Sequence, residues 1–247
     1  MVLTIHEKDT GRINPSIRAN TSHMTENKLY DNLLSLPLFL GMSKGDLQRA
    51  AGQTKFDFRK AQEEEVIVEE GDRCQRLYFL LDGDINVITE ADDHGYRIEE
   101  DITAPEIFQP EHIFGLSQRF THTYIAKSHC SLLCLEKKDV THLSDNFEIF
   151  RINLLNLIST QSQKYNRRAL RVPPKSLEER IIRFFESHSI RPAGEKKFHV
   201  KMIRLAEELN DSRLDVSRAL NRMQAQNLIQ LKRELIYVPA LEKLLTR

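Results

Sequence analysis

Apolar and polar positions change their rhythm twice along the chain. From Val66 to Glu90 the sequence VIVEEGDRCQRLYFLLDGDINVITE holds short β-branched and aromatic runs, broken at Gly71-Asp72 and Asp82-Gly83. Those pairs suit tight turns, because glycine accepts positive φ and aspartate bonds back to the backbone. The stretch therefore predicts strands joined by hairpins. His94-Gly95-Tyr96 marks another turn, and Tyr124 to Glu136 (YIAKSHCSLLCLE) continues the strand pattern. Several short strands at close spacing predict a sandwich or roll rather than a parallel sheet.

From Asn146 the rhythm is helical. Leu154, Ile158, Gln161, Tyr165, Ala169 and Val172 recur every three or four residues, which sets them on one stripe of a long helix. Such a stripe either packs on its own roll or forms a dimer seam. Its length and the polar Gln161 within it favour the seam, with Leu154, Ile158, Gln161, Tyr165 and Ala169 facing a second copy. Val172-Pro173-Pro174 ends the helix, since proline lacks an amide proton and forces its predecessor out of the α region. A further unit starts at once. Ser176 and Glu179 make a capping box, and Leu177, Ile181, Ile182 and Phe185 then face a core. Arg191 to Lys197 reads as a loop.

The next segment, KMIRLAEELNDSRLDVSRALNRMQAQNLIQLKRELIYV, predicts two short helices and a hairpin. Leu205, Ala206 and Leu209 share one face of the first helix. Ala206 allows a close crossing, and Asn210 tolerates the left-handed backbone that a sharp turn needs. Ser212 caps the second helix, on which Val216, Leu220 and Met223 form the buried ridge. At about 100° per residue, Leu214, Ser217, Arg218, Asn221 and Arg222 then fall on the far side, with Arg213 at the exposed start. These residue types can read a major groove: arginine forks onto guanine, Ser and Asn hydrogen-bond base edges, and Leu touches a thymine methyl. Lys232-Arg233 at the hairpin tip adds a grip for phosphate. A peripheral helix with solvated arginines would look similar, so the charge distribution matters.

Over its 247 residues the chain is neutral, but from Lys164 onward it carries nineteen Lys and Arg against ten Asp and Glu. The excess of positive charge points to an anionic partner for the C-terminal part. Residues 1–27, rich in Thr, Asn, Ser and charge, read as a disordered extension, with Met24 as an alternative start. No apolar run approaches the roughly 18 residues of a membrane span, and no signal-peptide core is present, so the expectation is a cytoplasmic protein without a membrane partner. Cys74, Cys130 and Cys134 lack metal-ligand spacing and read as reduced, partly buried thiols.

Taken together, LPLFLGMSKGDL (Leu36 to Leu47), VIVEEGD followed by LYFLLDGDINV, and DSRLDVSRAL resemble the Crp/Fnr family of bacterial transcription regulators. The resemblance covers Leu29 to the C-terminus. It implies an α+β chain with an N-terminal double-stranded, jelly-roll-like β-roll resembling a cyclic-nucleotide-binding domain (28–145). A long dimerisation helix (146–172) and a C-terminal winged helix-turn-helix (173–247) follow. Double-stranded DNA and a second copy of the chain are the implied partners, with a small-molecule effector and RNA polymerase as further ones. Ser212, Arg213, Leu214, Ser217, Arg218, Asn221, Arg222, Lys232 and Arg233 are the DNA-binding candidates. Arg213, Ser217 and Arg218 match positions that commonly face DNA in the family, whereas Leu214 stands where an acidic residue is common.

The implied effector pocket departs further from the pattern. Family members that bind cyclic nucleotide grip ribose and phosphate with a Gly-Glu pair and, ten residues after the Glu, an Arg-Ser pair. Aligned at Ala126-Lys127, this chain has Gln109-Pro110 and Phe120-Thr121 there, so the cation is missing. Glu111 and Arg119 reach those places only by shifts in opposite directions. Phe108 adjoins the first pair, and Tyr165 and Asn166 take the positions that would meet the base. The expected function is a homodimeric, sequence-specific DNA-binding regulator whose pocket has lost the usual phosphate grip. A cyclic-nucleotide-responsive regulatory or scaffold subunit acting through protein contacts is the alternative.

No enzyme is expected. There is no Gly-rich phosphate loop, no His-x-His strand for a cupin metal, and no nucleophile with an arguable base. No cofactor is expected either. An iron–sulfur sensor needs four thiolates, and His112, His122 and His129, the haem-ligand candidates beside Cys130 and Cys134, read as exposed or hydrogen-bonded histidines.

Overall fold

A computed structural model describes residues 30, 33–170 and 174–246; the side chains of residues 165 and 167–170 lie outside the description. The expectation for residues 1–27 also falls outside it, as do Val172 and the side chains of Tyr165 and Ala169.

Leu36 to Gly41 form successive turns, because Pro37 cannot donate and Gly41 sits at φ +85°. The helix, α1 (Lys44–Gln53), starts only after Ser43, whose Oγ accepts from the Asp46 amide at 3.1 Å. Eight strands follow: β1 (Asp57–Ala61), β2 (Val66–Val68), β3 (Arg76–Asp82), β4 (Asp84–Glu90), β5 (Tyr96–Thr103), β6 (Glu106–Ile107), β7 (Thr123–Ala126) and β8 (Cys130–Glu136). They form two antiparallel layers, one ordered β1-β8-β3-β6, the other running β5-β4-β7-β2. Inward side chains of both layers make one core with Leu33, Leu36, Leu38 and Phe39. The β3–β4 turn depends on Gly83. At φ +100° a Cβ there would meet the His129 carbonyl oxygen at 2.7 Å.

Helices α2 (Lys137–Asn146) and α3 (Glu148–Leu170) close the roll. Phe147, Phe150 and Leu154 are buried in its core, with Leu157 and Ile158 packed at the edge. The stripe read as a dimer seam is therefore spent, at Leu154 and Ile158, on the chain's own roll. Gln161 is half-buried on that same side. The opposite face of α3 leaves Ile149, Ile152 and Leu155 exposed, the last at 57%.

Helix α4 (Leu177–Ser187) begins with the Ser176/Glu179 capping box and buries Ile181, Phe184 and Phe185. The segment read as a loop instead leads into strand β9 (Lys196–Val200). Helices α5 (Met202–Glu208) and α6 (Arg213–Ala225) meet at Asn210, φ +48°, where the Asp211 amide closes onto the Ala206 carbonyl at 3.0 Å. Strands β10 (Gln230–Lys232) and β11 (Leu235–Val238) form a hairpin, and α7 (Glu242–Leu245) ends the fold. The second core holds Phe184, Phe185, Leu205, Val216, Leu220 and Met223 among others. β9 pairs with β11 on one edge and with β5 on the other, so a single seven-stranded sheet, β10-β11-β9-β5-β4-β7-β2, runs from the hairpin into the roll.

Candidate nucleic-acid interface and sensor pocket

Helix α6 presents two unlike faces because its apolar residues recur at helical spacing. Val216, Ala219, Leu220 and Met223 are buried, and Arg213, Leu214, Arg218, Asn221 and Arg222 are exposed. Ser212 holds the start of the helix, its Oγ accepting from the Asp215 amide at 3.1 Å and donating to the Asp215 carboxylate at 2.7 Å. Leu214 is 59% exposed at the first turn, and Ser217 is half-buried beside it. Arg213 lines a groove of about 450 Å³ between the start of α5 and the hairpin, shared with Lys201 and Lys232. Lys232 and Arg233 are exposed at the hairpin tip, where Glu234 takes φ +56°.

Not every candidate on this face is equally available. Arg222 Nε is tied to Glu178 of α4 at 2.8 Å, and Asn221 Nδ2 donates to the Ser217 carbonyl at 2.8 Å. Arg218 makes only a loose contact with Asp215, at 3.5 Å and largely exposed. Such an exposed pair contributes little, so Arg218 can turn toward a partner at small cost.

The roll interior is filled by aromatic rings. Phe108, fully buried, stacks on Tyr124 at 4.1 Å and lies 6.0 Å from Tyr78, while Phe120 meets Tyr78 edge-on at 6.1 Å. Gln109, at φ +37°, closes the gap beside them. Its Nε2 donates to Thr121 Oγ1 at 2.6 Å and its Oε1 accepts from the Thr121 amide at 2.9 Å. The residues aligned with the two phosphate-gripping pairs thus satisfy each other.

Arg119 does not supply the missing cation. Its Nη1 donates to the Gly71 carbonyl at 2.6 Å, and the residue lines a shallow cleft with Arg73, Cys74 and Leu116. Gln109, Pro110 and Glu111 line a separate cavity of about 670 Å³, closed on its other sides by Lys164 of α3 and by His188 and Arg204 of the C-terminal part. Asn166 is exposed near the end of α3, so the structure does not gather the nine effector candidates into one pocket. Arg119 is held outward by its isolated bridge to Arg73 and its bond to Gly71, whereas Phe120 is buried in the roll core. Of the two cavity cations, Arg204 is engaged by Asp93 at 3.0 Å and Glu208 at 2.7 Å. One carboxylate oxygen of Glu111 is buried without a hydrogen-bond partner among the described residues.

His122 also faces this cavity. Burial, with the nearby His112 adding to it, pushes its pKa down to about 4, and its Nδ1 shares a hydrogen bond with Thr89 Oγ1 at 2.9 Å. The three thiols are free and buried. Burial raises Cys74 to about 12, Cys134 to about 11, and Cys130 as well, so thiolate is scarce at neutral pH. Among the described residues no group of three or more His, Cys, Asp and Glu is placed to hold a metal, and no helix is long and apolar enough to cross a membrane.

Residues 58–147 match the family model described as a cyclic nucleotide-binding domain, and the match ends where α3 begins. Among solved structures the chain is similar to the catabolite activator protein of Thermus thermophilus, at 20% identity and a TM-score of 0.47, over 85% of this chain and 97% of that one. It is also similar to the c-di-GMP-responsive global regulator CLP of Xanthomonas campestris, at 20% identity and a TM-score of 0.46, over 80% and 99%. FixK2 of Bradyrhizobium japonicum is a third, at 12% identity and a TM-score of 0.43, over 78% and 96%. No curated protein matches the chain.

Proposed function

We propose that the protein is a homodimeric, sequence-specific DNA-binding transcription regulator of the Crp/Fnr type, with α5, α6 and the β10–β11 hairpin as a winged helix-turn-helix. The observation that carries this reading is the outward face of α6. A helix capped by Ser212 and anchored by its apolar ridge holds Arg213, Leu214 and Arg218 clear of the fold, with the half-buried Ser217 among them and Lys232 and Arg233 beside them. Arginine and leucine side by side on one exposed turn suit base edges, and lysine on a hairpin suits the backbone.

Replacing Arg213 or Arg218 with Ala is expected to cost about 1–3 kcal/mol on a specific site, whereas Lys232→Ala weakens every duplex alike and lowers the salt slope by about one. Fluorescence anisotropy on specific and random duplexes at several salt concentrations measures both. Equal small losses on the two duplexes for the arginine variants would remove α6 from the recognition role. Arg222→Ala is expected to act partly through the fold, because its guanidinium already bridges to Glu178.

The two units are held together, in this reading, by the exposed face of α3 rather than by the Leu154–Ile158 stripe. Ile149, Ile152 and Leu155 form an apolar strip next to Leu40, itself 64% exposed. A second copy of the helix covers such a strip by the pairing a two-fold axis allows.

The sensor pocket is read as one that does not take cyclic nucleotide. A cyclic phosphate entering the roll would displace the Gln109–Thr121 closure and meet Phe120 where a guanidinium is needed. Without that charge-assisted contact its desolvation is not offset, a loss of about 2–5 kcal/mol. Calorimetry with cyclic AMP and cyclic GMP is expected to show weak or no binding. Low-micromolar binding that disappears on Arg119→Ala would show that Arg119 turns inward and takes the phosphate.

A further inference from the structure

We infer that the seam between β5 and β9 positions the C-terminal unit on the roll, with Glu100 as its positioning residue. The inference rests on the DNA-binding reading for its consequence but on the fold for its substance. Five residue pairs, from Tyr96 with Val200 to Glu100 with Lys196, join the sensor's own strand to the C-terminal unit. At the end of the ladder, Glu100 and Lys196 are 1% and 2% exposed and lie 2.9 Å apart. Glu100 also accepts the Ile190 amide at 2.6 Å and the Arg191 amide at 3.3 Å, and Lys196 donates to the Ala193 carbonyl at 2.7 Å.

A buried ion pair persists only where its remaining hydrogen-bonding capacity is met, and here both partners are met by the same loop, from Ile190 to Ala193. The apolar layers interlock as well. Ile98 of the roll strand belongs to the C-terminal core, and Tyr96 packs edge-on against Phe184 at 5.6 Å and His188 at 5.5 Å. Arg204 of α5 lies over the Tyr96 ring at 5.9 Å while its guanidinium reaches Asp93 at 3.0 Å. Arg191 and Glu106 form a further ion pair across the seam, and His199 lies 3.0 Å from Glu99.

A covalent connection alone leaves the C-terminal unit free to turn, whereas a five-residue ladder with a buried charge pair fixes its direction. The seam leaves the outward face of α6 uncovered, so the docked arrangement is one that can meet DNA. In a dimer the gain from a second half-site depends on both units being held at one spacing. The seam therefore sets that spacing, and β5, which also lines the sensor cavity, is the strand through which an occupant of the cavity is felt.

Glu100→Gln keeps the shape but leaves the buried Lys196 without its counter-charge. Hydrogen exchange is expected to speed up at residues 97–100 and 196–200 and to stay unchanged in β3, β8 and α6. Affinity for a two-half-site duplex is expected to fall about tenfold to a hundredfold, with affinity for a single half-site unchanged. His199→Glu opens the seam from its exposed side, setting a second carboxylate against Glu99, and serves if the Glu100 variant does not fold. An oxidised Arg97→Cys/His199→Cys pair, at directly opposed positions, is expected to restore the two-half-site affinity in the Glu100→Gln background.

Unchanged exchange at the seam in both opening variants would overturn the inference. So would fast exchange with wild-type affinity for the two-half-site duplex, or loss of that affinity on locking. If the wild-type protein binds neither duplex, the DNA reading fails. Exchange at the seam and the yield of the disulfide then decide by themselves whether β5 holds the C-terminal unit.

Discussion

Ile152→Glu together with Leu155→Glu is expected to give a folded monomer whose affinity for a two-half-site operator is lower by about a hundredfold or more, because the partner's linked contribution is lost. Both side chains project from α3 away from the roll, 44% and 57% exposed, so a carboxylate at either place meets solvent in the single chain and leaves the core untouched. In a dimer the same carboxylates face their symmetry mates across the axis, and like charges at a two-fold seam repel. Leu154→Glu is the instructive contrast. Leu154 is 6% exposed within the roll core, so a charge there destabilises the subunit itself rather than the assembly. Sedimentation velocity with circular dichroism separates the two effects. A double variant that remains dimeric would place the two-fold contact elsewhere than on this strip.

Acidification across pH 6.5 to 4 is expected to cost the fold about 3 kcal/mol through His122. Burial, and then the charge of His112, hold its folded-state pKa at about 4, below the 6.5 of an unfolded histidine. Within that window the unfolded chain binds a proton that the folded chain refuses. The stability is therefore complete above 6.5 and is lost as pH falls toward 4. Glu70 works in the other direction, its carboxyl raised by burial and by Glu90. Asp101, where bonds from Lys127 and Asn86 outweigh the effect of burial, titrates below the window. Comparing the wild type with His122→Gln isolates the histidine, because glutamine keeps a partner for Thr89 and takes no proton. Urea unfolding at several pH values should give the variant a flatter pH dependence. Parallel slopes for the two proteins would mean that His122 is already solvated in the folded state.

These expectations draw unequally on sequence and on tertiary structure. Local devices are visible in the residues themselves. The Asp82-Gly83 turn needs a residue without Cβ, the Ser176/Glu179 box announces the start of α4, and Asn210 before Ser212 marks the break between α5 and α6. Each of these depends on neighbours within a few positions, which is the range over which backbone sterics and capping bonds act. The apolar ridge of α6 was equally legible, because Val216, Leu220 and Met223 repeat at helical spacing and put Arg213, Leu214 and Arg218 on the other face.

Strand β9 was not legible in the same way. In KKFHV only Phe198 and Val200 alternate, and five residues do not distinguish a strand from a loop until two partners flank them. One of those partners, β5, lies about a hundred residues earlier, and no periodicity within either segment encodes their meeting. Lys196, in the segment read as a loop, is buried because Glu100 is there to receive it.

The amino-acid sequence by itself determined where chain direction changes and which helix carries a charged outer face. Tertiary structure alone decided which face of α3 is spent on the roll and that Arg119 turns toward Gly71. It also decided that Gln109 closes onto Thr121 and that one sheet joins the roll to the C-terminal unit. The division has one physical cause. Turns, caps and amphipathic spacing are set by bonds and sterics among near neighbours, whereas the choice between two apolar faces, or between two partners for a strand edge, is made by whichever distant surface removes more of it from water.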